Sequence, residues 1–101
     1  MDRYVLFVNT ATDYIAYPLK SFVGAYYNSS TTVDLYFEKA PLSYKIRLNI
    51  EAGSGVSVTK KILELFSKYS GSVIAFDEPA GKFPIKEISG IASLTKVVIK
   101  W

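Results

Sequence analysis

Two periods run through the hydrophobic positions of this chain. Over residues 32–38 apolar and polar side chains alternate, with Val33, Leu35 and Phe37 set against Asp34, Tyr36 and Glu38. Residues 44–51 repeat the alternation, with Tyr44, Ile46, Leu48 and Ile50 against Lys45, Arg47, Asn49 and Glu51. A period of two sends one set to a dry sheet face and the other to water. Two such segments in succession predict an antiparallel sheet with one wet face, on which opposite charges of neighbouring strands pair for about tenths of a kcal/mol.

The period then changes. Ala52, Gly53, Ser54 and Gly55 break the strand, and Val58, Ile62, Leu65, Phe66 and Tyr69 form one apolar stripe at helical spacing. This predicts a helix over about residues 57–70, with Ser57 as N-cap, Glu64 and Lys68 at the favourable i, i+4 spacing, and Gly71 at the left-handed C-terminal cap.

Around this centre lie further β-like runs. Residues 3–8 are β-branched and aromatic and end at Asn9, Thr10 and the Thr12–Asp13 pair, as a first strand and turn would. Tyr14 to Tyr17 extend until Pro18, which has no amide for a ladder and belongs at a strand end or edge. Residues 19–22 read as a single turn, and residues 22–27 as a strand bulged near Gly24. Asn28, Ser29, Ser30 and Thr31 make the turn of a hairpin into residues 32–38. Residues 72–76 suit a buried strand, residues 77–82 a turn, residues 86–91 a strand interrupted at Gly90, and residues 96–101 a final docked strand. The expected fold is α+β: a mostly antiparallel sheet of five to seven strands with one amphipathic helix on one face, in a single domain over residues 1–101.

Composition narrows the chemistry. A chain of 101 residues with no histidine and no cysteine lacks the side chains most used for catalysis at neutral pH, and has neither disulfides nor thiolate metal sites. Eight tyrosines, six phenylalanines and one tryptophan supply core area instead. The net charge of +3 is too small to define an electrostatic stripe. No run approaches the roughly 20 apolar residues of a membrane span, and the start of the chain lacks a signal-peptide pattern. The expectation is an intracellular product with no membrane association, no cofactor and no small-molecule substrate.

Three constellations invite a functional reading. Gly53–Ser57 leads into a helix near Lys60 and Lys61, but Val58 stands where a dinucleotide motif needs its third glycine and the P-loop's Gly-Lys pair is missing, so it reads as an ordinary loop. Asp77 and Glu78 are adjacent acids beside Pro79 and Gly81, the composition of a solvated turn. The tyrosines are more informative. Tyr26, Tyr27 and Tyr36, with Lys45, Arg47 and Trp101, combine exposed rings with cations, a composition shared by protein interfaces and by platforms for single-stranded nucleic acid. Interleaved acids favour protein contact. The first strand and residues 97–101 are the expected free sheet edges, open to pairing with another chain.

Tyr17-Pro18, Phe22-Val23-Gly24, the run from Thr31 to Phe37, the run from Ile46 to Ile50 and the closing amphipathic helix resemble, in order and composition, small proteins of unassigned role from tailed bacteriophages, particularly marine ones. The likeness spans roughly residues 4–70 and brings no catalytic motif. It implies a phage product inside the host, a virion component such as a capsid decoration or neck protein, present in many copies. The expected function is therefore non-enzymatic: a structural or assembly protein that forms homo-oligomers or docks on other proteins. A small single-stranded nucleic-acid binder is the alternative.

Overall fold

The computed structural model describes residues 3–39, 42–68 and 71–98. Seven strands and one helix among them follow the expected order: β1 (Tyr4–Thr10), β2 (Asp13–Pro18), β3 (Phe22–Ser29), β4 (Thr32–Lys39), β5 (Leu42–Ile50), α1 (Gly55–Lys68), β6 (Val73–Asp77) and β7 (Ile88–Val98). The fold is α+β and mostly antiparallel, as the periods predict.

The strands do not lie in one layer. They divide into a three-stranded sheet, β2-β1-β6, and a four-stranded sheet, β3-β4-β5-β7. The division falls where Pro18 ends β2 and a short 3₁₀ turn, Leu19–Ser21, carries the chain across. The first strand is therefore no free edge. β2 pairs antiparallel on one side of β1, and β6 returns after the helix to pair parallel on the other. β7 does lie at an edge, beside β5. Of the edge segment expected at residues 97–101, residues 99–101 lie outside the described residues.

Both sheets and the helix close on one core. Val5 and Phe7 from β1, Tyr17 from β2, Val33, Leu35 and Phe37 from β4, and Ile46, Leu48 and Ile50 from β5 are buried together with Val58, Ile62 and Phe66 of α1. Phe37 is its junction, with ring centroids 6.1 Å from Phe7, 4.6 Å from Tyr17, 5.3 Å from Phe22 and 6.5 Å from Phe66.

Two local expectations are corrected. The helix begins at Gly55, one turn's fraction earlier than expected, so Ser57 lies inside its first turn and Ser54 flanks it. Ser54 donates its hydroxyl to the Glu51 carbonyl at 2.6 Å while its own carbonyl accepts the Val58 amide. The helix can start early because Gly53 takes a φ of +78°, a left-handed turn that a side chain would resist. The cap expected at Gly71 involves Tyr69 and Ser70, which lie outside the described residues.

Gly90 does not interrupt a strand. β7 runs unbroken past it, with Gly90 opposite Asn49 and ladder irregularities on either side. These bulges leave Ala92 and Ser89 as extra residues, so Ile88, Ile91 and Leu94 point inward at a spacing of three.

Candidate functional site

Burial of Val33, Leu35 and Phe37 turns Asp34 and Tyr36 to the outer face of the four-stranded sheet. The register sets Asp34 between Tyr26 and Arg47, and Tyr36 between Gly24 and Lys45. Four of the expected surface residues, Tyr26, Tyr36, Lys45 and Arg47, are thus gathered on one face. The Tyr26 ring stands edge-on to Tyr36, centroids 5.0 Å apart and planes at 82°. It also lies along its own strand over Gly24, where an added Cβ would come within 3.2 Å of Tyr26 Cε2. Glycine makes room for the ring.

Asp34 fixes the electrostatics. It is only 5% exposed although it points outward, because the cations on β5 close over it. Arg47 donates Nε to Oδ1 at 2.8 Å and Nη2 to Oδ2 at 3.0 Å, a two-pronged pair, and also donates Nη2 to Asn28 Oδ1 at 3.2 Å. Lys45 Nζ stands 3.9 Å from Oδ2. The hydrogen bond to Asp34 raises the Arg47 pKa above its ordinary value. Two cations therefore share one carboxylate, and Glu38 adds an exposed acid to the same strand face. The face presents two rings and almost no net charge.

Tyr27 does not belong to this surface. It pairs with Val33 and so takes the inward parity, yet it is 77% exposed because β3 is an edge strand; there it lines a groove with Val56, Thr59 and Lys60 of α1. Trp101 lies outside the described residues. Asn28 and Asp34 were not singled out as site residues. The alternation did place Asp34 outward, but Asn28 read as part of a turn.

The other constellations have structural employment. Asp77 Oδ1 accepts the Ala80 amide at 3.2 Å, and the turn closes through paired backbone bonds between Asp77 and Lys82, with Gly81 at a φ of +67°. Lys61 leaves the helix to meet Glu87, which precedes β7 and is 9% exposed. The hydrogen bond from Lys61 holds the Glu87 carboxyl below its ordinary value of 4.5. A carboxyl whose folded pKa is depressed takes up its proton first in the unfolded chain, so its contribution is complete above the ordinary value and fades as pH falls through the folded one. In urea denaturation Glu87→Gln should lower the midpoint at neutral pH, and the gap from wild type should close as pH drops below 4.5. A gap of constant size down to the acid limit would exclude this pair as its source.

The fold and this surface define a two-sheet α+β protein with a charge-balanced sheet face that carries two tyrosine rings. No protein-family model, no curated protein and no solved structure matches the chain. No helix among the described residues is long and apolar enough to cross a membrane.

Proposed function

We propose that this protein is a non-enzymatic structural or assembly protein that works by contact with other protein surfaces, in the manner of the small phage products its strand order resembles. The observation that carries this reading is Asp34, buried beneath Arg47 and Lys45 on the outer sheet face. A nucleic-acid platform needs free cations beside its rings, because phosphate neutralisation dominates its affinity. Here Asp34 already engages Arg47 through both oxygens and stands 3.9 Å from Lys45, and Glu38 on the same strand face balances the second cation. The remaining rings and planar guanidinium suit the centre of a protein interface, where Tyr and Arg concentrate.

Light scattering on the purified chain across salt concentrations, with and without a short single-stranded oligonucleotide, tests this. With Lys45 and Arg47 held by Asp34, any oligonucleotide affinity should vary with log salt by a slope flatter than about −0.7, the value for one neutralised phosphate. A steeper slope, together with a loss of about 1–3 kcal/mol of oligonucleotide affinity in Tyr36→Ala, would reverse the reading in favour of base stacking.

A further inference from the structure

The crossing between the two sheets leaves the core open at one place. Pro18 ends β2, the 3₁₀ turn Leu19–Ser21 follows, and the Leu19 amide ties that turn to the start of β1 by donating to the Arg3 carbonyl at 2.8 Å. Between this turn and the last turns of α1 lies a cavity of about 460 Å³. Its apolar lining is Leu19, Phe22, Leu63 and Phe66, the two phenylalanine rings standing edge-on with centroids 5.1 Å apart. Leu63 lies off the buried stripe of the helix and is 51% exposed, which puts it at the mouth. The charged residues lining the cavity are Arg3 and Lys20, and among the described residues no acid joins them.

Arg3 determines what the cavity attracts. It shares the parity of Val5 and Phe7, so its side chain runs to the core side, where α1 ends. There Nε donates to the Gly71 carbonyl at 3.1 Å, which fixes the plane of the guanidinium, while Nη2 is buried with no hydrogen-bond partner. A buried donor left unmatched costs stability, and more so on a charged group. The carbonyl end of a helix carries the equivalent of about half a negative charge, less than the full positive charge of Arg3 alone, so the field in the cavity favours an anion. With Nε spent on Gly71, the outer edge of the fork remains for an oxyanion, the partner that a guanidinium holds best through parallel bonds.

We propose that this cavity binds a free, single-chain anionic amphiphile, its carboxylate or phosphate against the Arg3 guanidinium and its tail along Leu19, Phe22, Leu63 and Phe66. A largely apolar pocket of about 300–1,000 Å³ with a few placed polar groups is the usual form of a small-ligand site. At the about 30 Å³ that a water-sized group occupies, the cavity holds roughly fifteen non-hydrogen atoms. A medium-length acyl chain with its head group fills that space, whereas the two long chains of a bilayer lipid exceed it. The site does not depend on the assembly reading, because the tyrosine face is the outer face of the other sheet.

Isothermal titration calorimetry of the whole chain with decanoate, kept below its micelle concentration, should give one site with a dissociation constant of about 0.1–1 mM, the range open to a ligand of this size. Decyltrimethylammonium, with the same tail and the opposite charge, should bind at least about tenfold more weakly. Amide shifts in heteronuclear NMR should concentrate at residues 3, 19–22 and 63–67. Arg3→Gln should weaken decanoate about tenfold by removing the charged fork. Because that variant also loses the bond to Gly71, Leu63→Glu supplies a second reading: the position is exposed, so the urea midpoint should hold, while the new carboxylate should repel the head and weaken decanoate by about as much. Tyr36→Ala should leave the binding unchanged. Equal binding of the two amphiphiles, a dissociation constant indifferent to both Arg3→Gln and Leu63→Glu, or shifts centred elsewhere would each overturn the proposal. Cosedimentation with phosphatidylglycerol vesicles and no uptake of decanoate would also overturn it, by moving the ligand to a membrane surface.

Discussion

Truncating Phe37 to alanine should lower the free energy of unfolding by about 3–5 kcal/mol, the range for removal of a buried aromatic ring that leaves a cavity. The expectation comes from position more than from size. Phe37 is fully buried, and its ring meets Phe7 of one sheet, Tyr17 stacked at an interplanar angle of 11°, Phe22 at the start of β3, and Phe66 of the helix. Both sheets and α1 therefore lose a common neighbour at once, and relaxation by one wall cannot fill the space for the others. A domain of this size is stable by about 5–15 kcal/mol, so the variant should remain folded only narrowly in water. Urea denaturation should show a lower midpoint at an unchanged slope. A loss under about 1 kcal/mol would mean that the ring does not join the two sheets.

That junction explains which parts of the fold could be read from the chain. β4 and β5 were legible because each buries one face against a common core and wets the other, so alternation is forced on the sequence. α1 was legible for the same reason at a different period. Neighbour relations were not. A run such as residues 4–8, apolar at successive positions, is compatible with an edge or a centre, and only the return of β6 makes β1 central. Residues 86–91 and 96–101 read as two separate strands, yet β7 (Ile88–Val98) is one, because two bulges change the inward spacing of Ile88, Ile91 and Leu94 from two to three, which no strand template recognises.

The candidate surface was legible in the same partial way. Tyr36, Lys45 and Arg47 occupy the polar positions of alternating strands, and register alone was needed to bring Tyr26 to them. Successive residues of a strand face opposite ways, so Tyr26 and Tyr27 could not share a face; an irregularity between Phe22 and Gly24 then decides which one turns outward. Asp34 was visible as a polar position, and its burial was not, because burial there is the work of two long side chains from the next strand.

The helix supplies the second large expected effect. Val58, Ile62 and Phe66 recur every four residues and are buried, and Phe66 stands edge-on to Phe22 with centroids 5.1 Å apart at 88°. Ile62 is 1% exposed and Leu63, its neighbour in sequence, 51%. Ile62→Ala should therefore cost about 2–5 kcal/mol, and Leu63→Ala no more than about 0.5 kcal/mol beyond any change in helix propensity, although both remove aliphatic carbons from adjacent positions. The contrast tests orientation as well as packing. If the helix rolled so that Leu63 were buried, the two costs would approach each other, and α1 would no longer be fixed on the core side of the sheets. With the helix held where Ile62 holds it, both outer sheet faces stay uncovered by it, and a partner that meets the tyrosine face finds a surface already folded rather than one it must first open.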